Sequence, residues 1–352
     1  MPDWKKSMVQ TFEYYIVDPD TWSNDTQIRD IADCSISRDS SAETLGSASI
    51  TCGSDLGEVY IRAYLIILQN GIKEKFPLAT MLVQTPSVSF DGRAKSISMD
   101  AYTPLIELKE KMPPLGYTIT KGSNIMDVAY TLCRENMRAP VIQAKCSAVL
   151  EDDFVADTDD TWLSFLTDFI SNAKYEFAID ELGRVLFVPV QDTKSLQPVC
   201  TFDDGNSSIL YADVTDERDL YGIPNVVEIL HSTNSKYLYA RVANDDPSSP
   251  TSIVSRGREI VYRETDPSLA GTPNQAQVND YAEQLLRNKS ALEHKISYSH
   301  GYNGNRMKDC VRLNYNRAGL QNVKAKVTSQ TIECTSGCKV TETATYTVNV
   351  WK

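Results

Sequence analysis

The segment Val59-Tyr-Ile-Arg-Ala-Tyr-Leu-Ile-Ile-Leu68, followed closely by Asn70-Gly71, decides the fold class of this chain. Most of its residues are β-branched, aromatic or aliphatic, a composition that is typical of strands. Asparagine and glycine both accept the positive φ angles of a type I′ turn, whose twist matches that of two paired strands. The segment therefore predicts an antiparallel β-hairpin.

A second hairpin is predicted directly after the first. The run Val83-Gln-Thr-Pro-Ser-Val-Ser-Phe90 leads into Asp91-Gly92, another dipeptide that suits a type I′ turn. Beyond it, Ile97 and Met99 alternate with polar residues, which indicates a strand with one buried face. Residues 8 to about 102 are therefore predicted to be β-rich.

Helical periodicity first appears between residues 103 and 201. An apolar stripe of Ile125, Val128, Ala129 and Leu132 predicts one helix, with Ser123 as its N-cap. Strands continue around this helix, so the region has a mixed α+β character.

A second helix is predicted from a longer stripe with Asp159 and Asp160 at its positive N-terminal end. Its members are Trp162, Phe165, Leu166, Phe169 and Ile170. At helical spacing such aromatic residues indicate a core face rather than a ligand site. Apolar runs between 175 and 189 then predict a hairpin about Glu181-Leu-Gly183.

Strands dominate again from residue 202, and three are predicted at 223–230, 237–242 and 258–263. One helix interrupts them at Asn274, where Gln277 completes a capping box. The stretch 244–256 is rich in Asp, Pro and Ser, and it is predicted to be an exposed loop that orders only against a partner.

The chain closes with predicted strands at 294–300, 310–315, 323–334 and 338–351. In the last of these, one face is predicted to be apolar and the other to consist of threonines. The apolar face is Val340, Ala344, Tyr346, Val348 and Val350. The whole pattern predicts a β-rich α+β, multidomain protein divided into residues 1–103, 104–201 and 202–352.

Charge argues against one class of function. The chain has 352 residues and a net charge of −12, whereas specific nucleic-acid binding usually depends on Lys and Arg contacts to phosphate. An acidic wall does suit DNA that slides past, because it repels phosphate over about 8 Å at physiological salt. No apolar run approaches a membrane span and no signal sequence is visible, so we expect a cytosolic protein without a membrane span.

Eight scattered cysteines indicate buried thiols in a reducing compartment. Cys334-Thr-Ser-Gly-Cys338 predicts a hairpin loop with Gly337 in the left-handed conformation. Three states stay open for its cysteines: reduced packing thiols, a redox-labile cross-strand pair, or half of a metal site.

The sequence predicts no catalytic, cofactor or metal site. Only His231, His294 and His300 are available for histidine chemistry, and no nucleophile-elbow motif accompanies them. Acidic clusters lack calcium-loop spacing and are predicted to be solvated loops or, at the second helix, a helix start. These clusters are Glu151-Asp-Asp153, Asp157 to Asp160, Asp203-Asp204 and Asp213 to Asp219.

Several stretches follow one another in an order that is known from one group of proteins. They are Gly57-Glu-Val-Tyr-Ile-Arg62, Pro104-Leu-Ile-Glu-Leu-Lys109, Pro113-Pro-Leu-Gly-Tyr117, Trp162-Leu-Ser-Phe165, Glu176-Phe-Ala-Ile-Asp180, Ile223-Pro-Asn-Val-Val227 and the closing hairpin from Val323 to Thr345. In this order the chain resembles the tail hub proteins of tailed phages, including the baseplate hubs of contractile tails. The likeness runs over nearly the whole sequence.

The resemblance implies two tube-type antiparallel β-barrel domains joined by a mixed segment. It implies a homotrimer that forms a ring between a sixfold tail tube or distal tail protein ring and a threefold spike, fibre or receptor-binding complex, near the tape measure protein. DNA would cross the lumen without specific binding. The location implied is the tail tip or baseplate of the virion, assembled in the host cytoplasm, and the implied role is structural and non-enzymatic.

Two other classes remain as alternatives. One is a carboxylate-dependent glycoside hydrolase with its catalysts among the acidic loops. The other is a glycan-binding β-module, which needs exposed aromatic side chains.

Overall fold

The computed structural model describes residues 2–93, 95–191, 193, 195–205, 208–232, 237–267 and 274–348. The chain divides into two compact units. The first consists of Met1–Val214 with Tyr298–Thr343, and the second consists of Thr215–Ser297 with Ala344–Lys352.

Strands make up most of the regular structure. They are β1 (Val9–Val17), β2 (Asn24–Ile28), β3 (Ile31–Asp39), β4 (Gly46–Cys52), β5 (Tyr60–Gln69), β6 (Ile72–Phe90), β7 (Lys95–Tyr102), β8 (Thr118–Ile119), β9 (Val141–Ile142), β10 (Phe154–Val155), β11 (Tyr175–Ile179), β12 (Val185–Pro189), β13 (Cys200–Asp203), β14 (Leu210–Arg218), β15 (Val226–Ser232), β16 (Tyr237–Ala243), β17 (Val261–Thr265), β18 (Leu292–Gly301), β19 (Cys310–Tyr315), β20 (Leu320–Glu333) and β21 (Lys339–Val348). The helices are α1 (Ile106–Lys109), α2 (Ile125–Asn136), α3 (Trp162–Ser171), α4 (Ile253–Arg256) and α5 (Gln275–Lys289), with one 3₁₀ turn at Asn316–Ala318.

The hairpin predicted from Asn70-Gly71 is confirmed. Gln69 pairs with Ile72, and the two turn residues have φ angles of 50° and 78°, as a type I′ turn requires. The second predicted hairpin, β6 with β7, is also confirmed, but its turn is not the two-residue type. Phe90 pairs with Lys95, so four residues connect the strands.

The large sheet joins strands from opposite ends of the chain. Its path of hydrogen-bonded neighbours is β14-β18-β21-β20-β3-β4-β7-β6-β5-β1-β2, and β19 and β13 branch from β20. The pairing of β20 with β3 places Ile332 opposite Ile36. As a result, Val340 of the last hairpin packs in the same core as Ile50 and Leu65.

The mixed segment packs its two longer helices around a second core. The apolar stripe of α3 is confirmed, since all of its members are buried. The N-cap predicted for α2 was wrong by one residue, because Asn124 accepts the bond from Asp127 N. Ser123 is held in the preceding turn instead, where its hydroxyl donates to the Thr120 carbonyl at 2.8 Å.

A capping box begins α3. Thr161 Oγ1 accepts from Ser164 N at 3.1 Å, and Ser164 Oγ accepts from Thr161 N at 3.0 Å. Asp160 lies just before the N-cap and outside the first turn, and its carboxylate accepts from Ser164 Oγ at 2.8 Å. Two backbone donors at the helix start thus have partners within the first turn.

We expect Thr161→Ala to lower the free energy of unfolding by about 1 kcal/mol, because it leaves Ser164 N without its acceptor. Urea unfolding measures the change. Thr167→Ala on the exposed side of the same helix is the matched control, and its effect should be neutral or slightly stabilising. Equal losses for the two variants would contradict the capping role.

The second unit consists mainly of a three-stranded sheet and one helix. β15 lies between antiparallel β16 and parallel β17. Val227 and Ile229 of the sheet pack against Val278, Ala282 and Leu286 of α5. The capping box predicted at the start of α5 is confirmed, since Asn274 and Gln277 exchange hydrogen bonds.

The prediction for residues 244–256 was wrong. The stretch is ordered by its own polar side chains, and several of these are fully buried. Asn244 Nδ2 donates to Ser249 Oγ at 2.9 Å, and Ser255 Oγ donates to the Ser249 carbonyl at 2.8 Å. Ser252 then caps the short helix α4.

The β-rich α+β fold class is confirmed. Among the described strands, the path of the large sheet has two ends, β14 and β2. The two closed barrels and the three domain boundaries at 1–103, 104–201 and 202–352 therefore stay predictions.

Candidate assembly interface

Unpaired strand edges are the first feature of the fold that bears on function. β2 and β14 each have one hydrogen-bonded neighbour within the described sheet, and most of their side chains are exposed. Such an edge presents free N–H and C=O groups that can pair with another chain. These two strand edges therefore suit assembly.

The distal part of the β6–β7 hairpin is a third exposed element, which we call the cationic arm (residues 86–93 with Lys95). All of these side chains are exposed. Val88 is 56% and Phe90 is 69% exposed, and Arg93 and Lys95 have no ion-pair partner among the described residues. The arm combines apolar side chains with positive charge.

A second surface of the first unit also exposes apolar side chains, but its charge is negative. We call it the acidic patch, and it comprises Val149, Glu151, Asp152, Asp153, Val155, Asp157 and Asp159. Val149 and Val155 are 54% and 55% exposed. Lys121 contacts this patch, since its ammonium lies 3.5 Å from Asp152 and its backbone N donates to Asp153.

A buried arginine fixes the β11–β12 hairpin to the large sheet. Arg62 is 4% exposed, and its guanidinium donates to Thr80 Oγ1 at 2.8 Å and to the Leu182 carbonyl at 3.1 Å. Trp22 Nε1 donates to the same carbonyl at 2.7 Å. The tip of the hairpin, at Gly183, therefore sits against the sheet.

Ion pairs hold the same hairpin from a second side. Glu181 lies 2.7 Å from Arg306 Nε and 3.6 Å from Arg38 Nη2. Lys308 Nζ lies 3.0 Å from Glu176 and donates to the Phe177 carbonyl. Arg38, Glu181, Arg306 and Lys308 line a cavity of ≈ 450 Å³, and each of these four side chains has an opposite charge beside it.

A fully buried carboxylate, Glu342, lies at the centre of a polar network in the first unit. It accepts from Tyr298 Oη at 2.6 Å, from Asn305 Nδ2 at 2.7 Å and from Gln330 Nε2. His300 Nε2 lies 3.3 Å from Oε2, the oxygen that accepts from Tyr298, but without hydrogen-bond alignment. The network joins β18, β20, β21 and the loop after β18.

The charge state of Glu342 follows from these partners. Burial by itself raises the pKa of a carboxyl, because the anion loses its hydration. His300, Tyr298 and Gln330 outweigh that effect and lower the pKa of Glu342 below its ordinary value. Burial and the same carboxylate raise the pKa of Tyr298 well above its ordinary value. Glu342 is therefore an anion in the folded protein at neutral pH.

Comparison with known proteins gives a clear result at the level of structure alone. No family model and no curated protein matches the chain. The tail protein from Neisseria meningitidis aligns with a TM-score of 0.63 at 14% identity, over 97% of this chain and 98% of that one. The 43 kDa tail protein of prophage MuSo2 from Shewanella oneidensis gives 0.64 at 11% identity, over 95% and 98%.

A third structure extends the likeness to secretion machinery. It is an E. coli component of the type VI secretion system, described as similar to the T4 bacteriophage tail proteins gp27 and gp5. It aligns with a TM-score of 0.50 at 8% identity, over 92% of this chain and 75% of that one. The chain has the tail-protein fold. The resemblance to tail hub proteins inferred from the sequence is thus confirmed as a likeness of fold.

Each of the three histidines lies beside a polar group of the protein. In the second unit, His294 Nδ1 lies 2.9 Å from Asp216 and 2.9 Å from the Tyr346 hydroxyl. His231 Nδ1 lies 3.9 Å from Asp266. In the first unit, His300 Nδ1 donates to the Gly301 carbonyl at 2.7 Å.

All eight cysteines of the tail-protein fold are free thiols, and Cys334 and Cys338 are both buried. The predicted loop between them is confirmed, since Gly337 has a φ of 93° and Cys338 N donates to the Thr335 carbonyl. Cys334 N donates to the Cys34 carbonyl across the β20–β3 pair. The structure therefore places these thiols in the core.

Within the part of the chain that the structure describes, no three His, Cys, Asp or Glu side chains are grouped to hold a metal ion. Likewise, no helix in the described ranges is long and apolar enough to cross a membrane. The acidic cluster at 151–153 is exposed, as the sequence predicts. Asp203 and Asp204 are instead half-buried, and the cluster predicted as a loop from Asp213 to Asp219 lies almost entirely in strand β14, where Asp216 contacts His294.

Proposed function

We propose that this protein is a structural hub subunit at the distal end of a phage tail. Three copies form a ring that adapts the sixfold tail tube to a threefold spike or fibre, and DNA passes through its lumen. Its partners are the distal tail or tail tube protein ring, the central spike, fibre or receptor-binding complex, and the tape measure protein. It is a component of the virion, assembled in the host cytoplasm.

The likeness of fold to two tail proteins carries this proposal. It extends over at least 95% of this chain and over 98% of each of those chains. In the proposed ring, residues 1–103 and 202–352 supply two tube-type barrel domains joined by 104–201. Two such domains in each of three copies match the sixfold symmetry of a tube.

Unpaired edges and net charge support the same proposal. The edges at β2 and β14 suit pairing between copies, because a ring covers them. A net charge of −12 suits a wall past which DNA slides, since like charges repel over about 8 Å at physiological salt.

A glycoside hydrolase is less well supported. It needs two accessible carboxyls with separated pKa values. Burial raises the pKa of Asp309, while Glu342 has a lowered pKa, so the pair has the required difference. However, the Glu342 side chain is 0% exposed, and no sugar reaches it. We therefore propose a non-enzymatic role.

Glycan binding is a second candidate because of one observation in the second unit. Tyr237 and Tyr239 lie on one face of β16 and are 73% and 51% exposed. Exposed tyrosines offer flat apolar surfaces with a polar hydroxyl. Retention on host cell-wall polysaccharide that Tyr237→Ala abolishes would favour this candidate.

The ring is tested with the purified full chain. Native mass spectrometry should give a trimer of 3 × 39.3 kDa = 117.9 kDa, and negative-stain images should show rings with a central hole. Addition of the neighbouring tail tube protein should produce rings stacked on tubes. A monomer of 39.3 kDa at every concentration, with no rings alone or with tube protein, would overturn the proposal.

A further inference from the structure

The cationic arm extends beyond the strands that flank it. β6 pairs with β5 as far as Leu82, whereas its pairing with β7 continues to Phe90. The distal half of β6 therefore has one paired edge and one edge without a described neighbour. Because a two-stranded ribbon alone is marginally stable in water, an additional surface against this arm would stabilise it.

The arm has the composition of an interface centre with a charged rim. Val88 and Phe90 expose more than half of their surface toward the tip of the ribbon, and Arg93 and Lys95 lie in and beside its turn. Aromatic and arginine side chains carry much of the binding energy in protein interfaces. Large apolar side chains that remain exposed are a mark of such contacts.

The acidic patch is complementary to the arm both in its exposed apolar side chains and in its charge. It exposes Val149 and Val155 and carries five carboxylates against one nearby lysine, Lys121. The arm carries Arg93 and Lys95 against Asp91, which gives 2 − 1 = +1, whereas the patch gives 1 − 5 = −4. Opposite charges around apolar centres favour a contact between them.

We propose that the cationic arm of one copy docks on the acidic patch of the neighbouring copy. The inference rests on the proposed ring and names the surfaces that form it. Arm and patch are different surfaces of one chain, so the contact is head-to-tail, the kind that closes rings. Two acidic patches would repel each other, which disfavours a symmetric contact through that surface.

Charge reversal tests the contact in the full chain. Arg93→Glu with Lys95→Glu should weaken self-association about tenfold, and Glu151→Lys with Asp152→Lys should do the same. The quadruple variant carries both reversals, so its association constant should return to within about threefold of the original. Sedimentation velocity over a dilution series at 0.15 M and 0.5 M salt measures each constant.

Lys5→Glu with Lys145→Glu is the matched control, because it changes the net charge equally at exposed positions outside the arm. Its association should stay within about twofold of the original. A second pair, Val88→Ser with Phe90→Ser, tests the apolar centre without charge. It should weaken association at least tenfold at both salt concentrations and leave the midpoint of urea unfolding unchanged.

The outcomes separate this inference from the proposed function. A ring that forms equally well with and without the arm reversals overturns the inference and leaves the hub role intact. An original chain that stays monomeric, with or without tube protein, overturns the hub role itself. Flotation with phosphatidylglycerol vesicles that the arm reversals abolish, with unchanged rings, assigns the arm to a lipid surface and also overturns the inference.

Discussion

Replacing Glu342 by alanine is expected to lower the free energy of unfolding by about 3–5 kcal/mol at pH 7, because several buried donors lose their acceptor at once. The change removes the carboxylate beside His300, the acceptor of Tyr298 and Asn305, and one of the two acceptors of Gln330, all of them buried. Because these groups are buried, water cannot replace the carboxylate as their hydrogen-bond acceptor. Urea unfolding followed by circular dichroism measures the loss.

Two measurements make this expectation specific. Glu333→Ala, on the neighbouring strand of the same hairpin, should change stability by less than about 0.5 kcal/mol. The folded pKa of Glu342 lies below its ordinary value of 4.5, so its contribution is fully present above pH 4.5 and is lost as pH falls through the folded pKa. The difference in free energy of unfolding between the original protein and Glu342→Ala should therefore become smaller only in acid. A loss below about 1 kcal/mol at pH 7 would contradict the account.

Replacing Gly183 by alanine is expected to destabilise the first unit by about 2–4 kcal/mol. A Cβ at this position would lie 2.8 Å from Thr80 Cβ and 3.1 Å from the Trp22 ring, and the backbone φ is +74°. Thr80 Cβ cannot rotate away, so the hairpin tip must move off the sheet and lose its bonds from Arg62. Urea unfolding, with limited proteolysis between residues 175 and 189, measures the effect.

Gly116 provides a matched control for Gly183. Its φ is +75°, and a Cβ there would meet nothing within 4 Å. Gly116→Ala therefore isolates the cost of the left-handed backbone, which is about 1 kcal/mol. Equal losses at the two glycines would show that contact with the sheet contributes nothing.

Local signals explain what the sequence predicts well. The turn at Asn70-Gly71 and the capping box of Asn274 with Gln277 are both decided by neighbours in the chain, and both are confirmed. The α3 stripe is predictable for the same reason, since its residues lie within three turns of one helix.

Long-range pairing escapes this kind of reasoning. The register of β20 against β3, with Ile332 opposite Ile36, joins residues about 300 positions apart. Many strands in the chain alternate equally well, so periodicity does not say which two are neighbours. For the same reason the sequence gives no sign that Arg62 reaches the carbonyl of Leu182.

Polar residues in the interior account for the two clearest errors. Glu342 has the same parity as Val340 and Ala344, so the predicted apolar face in fact includes a buried carboxylate. This shared parity could have indicated that Glu342 is buried. The sequence does not show that His300, which lies on another strand, is next to it. In residues 244–256 a polar composition indicates solvent exposure, yet Asn244 and Ser249 satisfy each other away from water.

The thiols in the core have a practical consequence. Burial raises the pKa of Cys200 and of Cys338 to about 12, so both remain protonated at neutral pH and their nucleophilicity is suppressed. The Cys338 side chain is 0% exposed, so alkylation of its sulfur in the native chain requires a local opening that admits reagent and solvent. The natural cysteines thus form a built-in set of probes, and their rates of modification would report how firmly each strand is closed before and after the subunit enters a larger particle.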